Sequence, residues 1–206
     1  SQVDYIKELN IAGVKIILVL TGGSPIALGE VEEMVDAILF IWYPGMEGGR
    51  AVADVLFGDI SPSGKLPMTF PRSLAQLPAF DDYSMDKRTY RYATSDPLYP
   101  FGFGLGYSRF EYADLKLGST TVRSGDPLEF SFLLKNAGDS DAAEVVQVYL
   151  SDLQATAKVP LHHLVGFEKV TLTAGGNREI NITLTPEMMS FYNDEGKLTL
   201  EPGAFR

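Results

Sequence analysis

Two uninterrupted apolar runs constrain the first third of the chain more than any other feature. Residues 14–20 (VKIILVL) are apolar except for Lys15 and rich in β-branched side chains, and residues 37–42 (AILFIW) are entirely apolar. Such runs are typical of strands in a parallel sheet that is covered on both faces. A short helical segment over residues 30–35 separates them, so we predict a strand, helix, strand unit with the usual right-handed crossover.

Helices are predicted on either side of this unit. Ser1 is placed to cap a short helix, with Asp4 at the third helical position as in a capping box. Residues 47–57 have the apolar spacing of a second helix, and Gly58 is placed to end it. The first third of the chain is therefore predicted to be α/β.

Residues 59–96 differ because proline and glycine interrupt them repeatedly. Proline lacks a backbone donor, so a long helix is excluded and an extended connector with one short strand near residues 66–70 is predicted. Aromatic side chains are concentrated between Tyr90 and Phe110. This concentration indicates a segment held against domain surfaces rather than a flexible tether.

In the last third, apolar side chains recur at every second position. The clearest run consists of Leu128, Phe130, Phe132 and Leu134. This alternation gives a strand one buried face, and glycine-containing turns at residues 136–139, 173–177 and 193–196 suit a small antiparallel sandwich. An immunoglobulin-like or fibronectin-like domain is predicted. Residues 201–206 resemble a turn and the start of one more strand, so we expect the last strand of the sandwich to be missing.

The composition excludes several classes of protein. The 206 residues include 27 acidic and 17 basic side chains, and the net charge of −10 is unsuited to general contact with nucleic acid phosphates. The longest apolar stretch, residues 37–43, is far shorter than the roughly 20 residues of a membrane-spanning helix. The absence of cysteine excludes a disulfide framework, a thiolate nucleophile and a thiolate metal site.

Several longer sequence segments resemble the C-terminal part of family 3 glycoside hydrolases, the β-glucosidase and β-xylosidase family. Residues 42–71 (WYPGMEGGRAVADVLFGDISPSGKLPMTFP) resemble the end of that family's α/β sandwich domain, and residues 88–107 (RTYRYATSDPLYPFGFGLGY) resemble its connector. Residues 144–152 and 165–170 (VGFEKV) resemble its fibronectin type III-like domain. These segments follow the same order as in the family, over nearly the whole chain.

The resemblance implies an α/β part followed by an all-β part. Residues 1–78 are expected to form the C-terminal half of the mostly parallel α/β sandwich domain, and residues 79–107 a linker rich in aromatic residues and proline. Residues 108–206 are expected to form the fibronectin type III-like, immunoglobulin-like β-sandwich.

The resemblance also implies an activity that needs residues outside this chain. The family's members are retaining enzymes, with an Asp nucleophile on an N-terminal barrel and a Glu acid/base on a loop of the sandwich domain. Neither motif is present, so no residue here is assigned a catalytic role. We expect part of an exo-acting β-glycosidase, most readily a β-glucosidase, which needs no metal or organic cofactor and works in the periplasm or outside the cell.

The implied partners are the β-linked oligosaccharide or glycoside substrate and the missing barrel and sandwich half of the same enzyme. No nucleic acid and no membrane span are expected. Partial sheets expose apolar faces and unpaired edges, which favour association, so a homodimer is left open.

Glu47 is the first candidate for a residue near the substrate. It lies in PGMEGG, after a predicted parallel strand and at a helix start, which is the sheet edge where α/β proteins bind ligands. The competing interpretation is structural, because a carboxylate in the first helical turn complements the helix dipole and can bond backbone donors. Residues 21–25 end the preceding strand at the same edge and either approach a ligand closely or form a simple turn.

Arg88, Tyr90 and Arg91 are the other candidates, and with Tyr92 they form a basic and aromatic cluster. Such a cluster is able to stack on a sugar or hydrogen-bond it, whereas packing of the linker against neighbouring domains is the alternative. Residues 102–106 have GxGxG spacing, but prolines precede them and no helical pattern follows, so a nucleotide-binding loop is excluded.

A second candidate function is a non-enzymatic carbohydrate-binding or scaffold module built from the β-sandwich. It predicts a ladder of exposed aromatic side chains on one face, because flat rings hold sugars by stacking. The sequence argues against it, since Phe130, Phe132 and Phe167 fall in patterns typical of a core.

Overall fold

A computed structural model describes all of residues 1–206, and its contacts divide the chain into two compact units. The first unit comprises Ser1–Ile60, Leu66–Thr89 and Ala93–Phe101, and the second comprises Ser61–Lys65, Tyr90–Tyr92 and Gly102–Arg206. The chain therefore passes between the units several times. Parts of the predicted linker, residues 79–107, belong to each unit.

Helix α1 (Gln2–Ile11) opens the first unit and begins with the predicted capping box. The Ser1 hydroxyl accepts a hydrogen bond from the Asp4 N–H, and the Asp4 carboxylate accepts one from the Ser1 ammonium group at 2.7 Å. These bonds occupy donors that the first turn of a helix leaves without partners.

Two parallel strands follow, β1 (Ile17–Leu20) and β2 (Ala37–Phe40), with a 3₁₀ helix (Gly29–Met34) between them. The parallel pairing agrees with the prediction. Within residues 1–206 one face of β1 is open, since Ile17 and Val19 are 52% and 36% exposed, so coverage on both faces stays a prediction for the intact enzyme. Alternate side chains of a strand point to opposite faces, so these two share one open face.

Helix α2 (Gly48–Leu56) starts one residue later than predicted, since Glu47 occupies the N-cap position. Gly48 is buried, and a Cβ there would lie 2.6 Å from the Pro44 side chain, so this close approach requires glycine. Gly58 has a φ of +84° and follows the end of the helix, as predicted.

The predicted strand near residues 66–70 is reduced to one β-bridge between Phe70 and Tyr99. The Phe70 N–H donates to the Tyr99 carbonyl at 2.9 Å. On one side the next ladder donor, the Arg72 N–H, bonds the Gln76 side-chain oxygen at 2.6 Å instead, and Pro97 opposite it carries no N–H. Phe70 itself is only 3% exposed, and the bridge anchors one of the few buried side chains of the first unit.

The second unit is a β-sandwich that follows a single helical turn, α3 (Thr89–Tyr92). Its strands are β3 (Phe110–Leu117), β4 (Leu128–Asn136), β5 (Ala142–Leu150), β6 (His163–Leu172), β7 (Asn177–Leu184), β8 (Phe191–Tyr192) and β9 (Leu198–Thr199). One sheet has the order β3-β4-β7, the other pairs β5 with β6, and β8 pairs with β9, all antiparallel.

Side chains of both sheets meet in one core. Leu134 and Ile180 from the first sheet and Val146 and Val170 from the second are at most 1% exposed. This arrangement confirms the predicted sandwich.

The prediction that Phe167 lies in the core is wrong. Phe132 is 8% exposed and lies in the core, but Phe167 is 71% exposed. Phe167 is three residues from the buried Val170 and five from the buried Leu172 in β6, and these odd separations place it on the outer face because strand side chains alternate.

Residues 201–206 include the extended segment that the sequence indicates. The Ser151 N–H donates to the Arg206 carbonyl at 2.7 Å, and the Arg206 N–H donates to the Ser151 carbonyl at 2.9 Å. Asp152 and Phe205 form the adjoining antiparallel bridge.

The GxGxG run over residues 102–106 is explained by close backbone packing within the second unit. A Cβ on Gly104 would lie 2.1 Å from the Gly64 carbonyl oxygen, and one on Gly106 would lie 2.7 Å from the Pro62 carbonyl oxygen. The glycines therefore allow residues 61–65 to run directly against this segment.

Candidate functional site

The loops that follow β1 and β2 lie together at the carboxyl edge of the parallel strands. The Gly22 N–H donates to the Trp42 carbonyl at 3.3 Å, and a Cβ on Gly23 would lie 2.8 Å from the Tyr43 ring. Trp42 has a φ of +52°, a conformation that tryptophan rarely adopts. Strain and close approach of two loops at this edge mark the position where α/β sheets bind ligands.

Glu47 lies in the second of these loops, and its side chain is exposed. It occupies the N-cap of α2 but makes no capping hydrogen bond, so the structural role of a bonded helix cap is not realised. A carboxylate here is able to accept hydrogen bonds from the hydroxyl groups of a ligand at the sheet edge.

Arg88 is half-buried in the first unit and binds its own loop. Its guanidinium group donates to the carbonyl oxygens of Ser84 at 3.0 Å, Ala79 at 3.3 Å and Asp82. A planar fork of five donors suits such a set of acceptors. Arg88 therefore organises residues 79–88.

This loop presents two rings to solvent. Phe80 and Tyr83 are 98% and 91% exposed. The Asp82 carboxylate accepts a hydrogen bond from the Ser84 N–H at 2.8 Å, and that bond lowers the pKa of Asp82. Sequence reasoning singled out Arg88 but missed the rings that its loop displays, because exposure cannot be read from a stretch without periodicity.

Tyr90 lies in the second unit, where its hydroxyl accepts a hydrogen bond from the Leu164 N–H at 3.1 Å. The centre of its ring is 6.0 Å from that of Tyr149 and 5.5 Å from that of His162. Burial raises the pKa of Tyr149 and lowers the pKa of His162, so both rings are neutral near pH 7. These contacts support a packing role for Tyr90.

Arg91 is exposed, and its guanidinium carbon lies 5.9 Å from the centre of the Tyr90 ring. Its side chain lines a pocket of about 270 Å³ in the second unit. The other charged and aromatic residues of this pocket are Tyr92, Asp152, Lys158, His163, Phe191, Tyr192 and Phe205. Sequence reasoning missed Lys158 and Tyr192, because they are distant from Arg91 along the chain and no spacing rule joins them.

The four predicted site residues thus fall into two groups. Tyr90 and Arg91 are neighbours in the second unit, whereas Glu47 and Arg88 belong to the first.

A partly buried ion pair lies elsewhere in the second unit. The Lys65 ammonium group is 3.0 Å from the Glu144 carboxylate and donates to the Gly104 carbonyl at 2.8 Å. Both charged side chains are less than one fifth exposed. Burial, together with the Glu144 charge, raises the pKa of Tyr112 to about 12. The pair attaches residues 61–65 to the sandwich and has no feature of a catalytic site.

No aromatic ladder covers either face of the sandwich. The exposed rings of Tyr112 and Phe167 belong to different sheets. No three His, Asp or Glu side chains come together as a metal site. Every helix is too short or too polar to cross a bilayer.

Comparison with known proteins decides the family. The family model described as the glycosyl hydrolase family 3 C-terminal domain matches residues 1–107, more than half of the chain. The chain belongs to glycosyl hydrolase family 3. A second model, the fibronectin type III-like domain, matches residues 144–206 of this family 3 chain. The resemblance and the α/β plus all-β architecture inferred from the sequence are confirmed.

Named relatives of this family 3 chain are glycosidases. It is 40% identical to a periplasmic beta-glucosidase of Salmonella typhimurium over 100% of its own length and 28% of the relative's. It is 42% identical to a xylan 1,4-beta-xylosidase of Xylanibacter ruminicola over 99% of its own length and 23% of the relative's. The chain therefore spans about a quarter of the length of these relatives.

Solved structures give the same result. The beta-glucosidase from Listeria innocua in complex with isofagomine superposes with a TM-score of 0.86 and 34% identity, over 98% of this chain and 30% of that one. The beta-glucosidase from Kluyveromyces marxianus superposes with a TM-score of 0.86 and 33% identity, over 98% of this chain and 26% of that one.

The predicted domain boundaries at residues 78 and 107 stay predictions. The first family model runs through residue 107 and so includes the predicted linker. By contrast, Ser61–Lys65 and Tyr90–Tyr92 belong to the second compact unit.

Proposed function

We propose that this family 3 chain works as part of a retaining, exo-acting β-glycosidase, most readily a β-glucosidase, that removes terminal sugars from β-linked oligosaccharides or glycosides. The observation that carries the proposal is similarity to glycosidases along the whole chain, through both the α/β part and the sandwich. The named function of those relatives is the basis for the reaction and the substrate class.

Retaining hydrolysis uses two carboxyl groups about 5 to 5.5 Å apart, one as nucleophile and one as acid/base. Glu144 is paired with Lys65 at 3.0 Å, and the sequence contains neither catalytic motif that the family resemblance implies. We therefore assign the catalytic Asp and Glu to sequence outside residues 1–206. The residues of this chain would shape and support the site.

Glu47 is our proposal for a substrate-side residue of the first unit. It is exposed at the carboxyl edge of β2 and has no capping bond that would hold it to α2. Its carboxylate would accept a hydrogen bond from a sugar hydroxyl, and such charged bonds contribute about 1.5 to 3 kcal/mol. Glu47→Gln in the intact enzyme should lower kcat/KM by about tenfold or more.

The matched control is Glu33→Gln, another exposed carboxylate of the first unit. It should leave kcat/KM unchanged. Equal losses in the two variants would assign the effect to lost surface charge and remove Glu47 from the substrate site.

Arg88 and Tyr90 enter the proposal as positioning residues, because their polar groups are bonded to loop carbonyls and to the Leu164 N–H. Arg91 is proposed to contact a ligand directly, since it is exposed and lines a pocket.

The proposed location is the periplasm or the outside of the cell. The Salmonella typhimurium relative is named as periplasmic, which supports this location. The proposed partners are the glycoside substrate and the remaining domains of the enzyme. Cell fractionation tests the location. Light scattering of the purified enzyme tests whether it forms a homodimer.

The reaction itself is tested on the intact enzyme with nitrophenyl β-glucoside and nitrophenyl β-xyloside. We expect kcat/KM to be higher for the glucoside, and no turnover by residues 1–206 alone. A higher kcat/KM for the xyloside would identify xylose, not glucose, as the preferred terminal sugar. Turnover by residues 1–206 would show that the catalytic carboxylates belong to this chain.

A further inference from the structure

The loop over residues 79–88 has a defined shape that does not depend on its aromatic side chains. The Asp82 N–H donates to the Ala79 carbonyl at 3.1 Å, which closes a tight turn with residues 80–81 at its tip. The Arg88 guanidinium group donates to the carbonyl oxygens of the same Ala79 and Asp82. Backbone and guanidinium hydrogen bonds therefore hold the loop, and its rings are not needed to fold it.

The tip of this turn carries a ring that is almost fully exposed within residues 1–206. Phe80 is 98% exposed, and Tyr83, further along the loop, is nearly as exposed. Removal of a large apolar side chain from water is favourable, and exposed apolar groups of this kind mark sites of interaction. A ring displayed at a defined position is suited to bind a partner without first being ordered.

The neighbouring carboxylates distinguish the two rings. Asp82 precedes Tyr83, and its carboxylate already accepts the Ser84 N–H at 2.8 Å. Asp81 follows Phe80 at the tip of the turn, its side chain is exposed, and no hydrogen bond or ion pair within residues 1–206 occupies it. The tip therefore combines an open ring with an open hydrogen-bond acceptor.

This combination suits a sugar better than an apolar protein surface. Asp is depleted in the cores of protein interfaces, because burial of an unpaired carboxylate is costly. A pyranose presents C–H groups on its faces, which pack on a flat aromatic ring. It also presents hydroxyl groups at its rim, which donate hydrogen bonds to a carboxylate. Phe80 and Asp81 supply one partner for each kind of group.

We propose that the tip of this turn binds a pyranose ring of the glycoside substrate, with Phe80 stacked on a face of the sugar and Asp81 accepting hydrogen bonds from its hydroxyl groups. The inference rests on the proposed function, which supplies the substrate class. It adds two residues that determine affinity for the substrate to the candidate Glu47. The negative charge of Asp81 favours neutral sugars over sugars that carry a carboxylate.

The test measures kcat/KM of the intact enzyme for cellobiose and xylobiose, the β-linked disaccharides of glucose and xylose. For the better substrate, Phe80→Ala is expected to lower kcat/KM by about tenfold, and Phe80→Trp, which keeps a flat ring, to retain it within about threefold. Asp81→Asn should lower kcat/KM by about threefold to tenfold, because ionised acceptors form the stronger hydrogen bonds. The matched control is Phe167→Ala, which removes an exposed ring from the second unit and should leave kcat/KM unchanged.

Two results would overturn the inference while the enzyme remains active. Unchanged kcat/KM in Phe80→Ala, or an equal loss in Phe167→Ala, would show that Phe80 does not contact the sugar. A lower Tm in Phe80→Ala that Phe80→Leu restores together with kcat/KM would show that another part of the enzyme covers the ring. Failure of the proposed function gives a different result, because the unsubstituted enzyme would then hydrolyse neither disaccharide and neither nitrophenyl glycoside.

Discussion

The two compact units bury their strands to very different extents. In the second unit, Leu134, Val146 and Ile180 are at most 1% exposed within a core that both sheets share. In the first unit, Ile17 and Val19 of β1 are 52% and 36% exposed, although their sequence is the more apolar. Apolar composition therefore indicates a strand, whereas its burial depends on which elements cover each face.

The comparison predicts that the two units differ in sensitivity to mutation. A unit with a closed core loses stability when that core is opened, and an open sheet face has less to lose. The single tryptophan, Trp42, lies in the first unit, so its fluorescence follows that unit during unfolding. Far-UV circular dichroism reports on the secondary structure of both units together.

The largest expected effect is that of Leu134→Ala. Leu134 is 0% exposed, and such substitutions cost about 2 to 5 kcal/mol in the free energy of unfolding. In residues 1–206 alone, the matched change in the first unit, Ile17→Ala, should cost about 1 kcal/mol because half of that side chain is in water there. Urea unfolding, followed by circular dichroism and by Trp42 fluorescence, measures both. Equal losses would remove the contrast between the units.

Gly104→Ala tests whether residues 61–65 are an integral part of the second unit. The new Cβ would meet the Gly64 carbonyl oxygen, and overpacking of this kind costs about 1 to 3 kcal/mol. Gly166→Ala is the control, since no heavy atom lies within 4 Å of its Cβ position, and its effect should stay within about 0.5 kcal/mol. A neutral Gly104→Ala would mean that residues 61–65 are only loosely attached.

Glu144→Gln tests how strongly the ion pair with Lys65 attaches residues 61–65 to the second unit. It removes the partner of Lys65, and because both side chains are less than one fifth exposed we expect a loss of about 1.5 kcal/mol in the free energy of unfolding. Glu179→Gln breaks the exposed Lys116 pair and should cost less than about 0.5 kcal/mol. Urea unfolding at pH 7 measures both losses. A larger loss in the free energy of unfolding for Glu179→Gln than for Glu144→Gln would contradict this ranking.

The smallest expected effect concerns Tyr112, whose pKa is raised to about 12 mainly by burial and secondly by the Glu144 charge. A raised pKa favours the neutral phenol in the folded state, so this contribution is complete below pH 10 and is lost between pH 10 and pH 12. The effect is small because half of the ring is exposed.

Tyr112→Phe should therefore lose less stability than the unsubstituted protein between pH 9.5 and pH 11.5, as read from urea midpoints. Tyr83→Phe, at a ring that is 91% exposed, should keep the original pH dependence. An unchanged slope in Tyr112→Phe would show that other groups control stability in this range.

Local patterns predicted much of the fold. The capping box at Ser1, the parallel pairing of β1 with β2, the glycine after α2 and the sandwich all rest on rules of spacing or turn chemistry, and the structure shows each of them. The predicted strand near residues 66–70 is shortened to a single bridge, because the next donor, the Arg72 N–H, bonds the Gln76 side chain instead. Phe167 failed because the direction of a strand residue depends on register.

The candidate site was harder to predict because its members come from distant parts of the chain. Arg91 could be singled out from its basic and aromatic neighbours, whereas Lys158 and Tyr192 become candidates only when the fold places them around one pocket. Glu47 was correctly placed near the carboxyl edge of the parallel strands, but the absence of its capping bond is visible only in the structure.

The anomeric form of the first sugar released by the intact enzyme tests the proposed retaining hydrolysis most directly. Proton NMR during early hydrolysis of nitrophenyl β-glucoside distinguishes the two anomers before they interconvert. A retaining family 3 β-glycosidase that includes this chain should release β-glucose first. Initial release of α-glucose would contradict the proposed mechanism, and the absence of any turnover would contradict the proposed function.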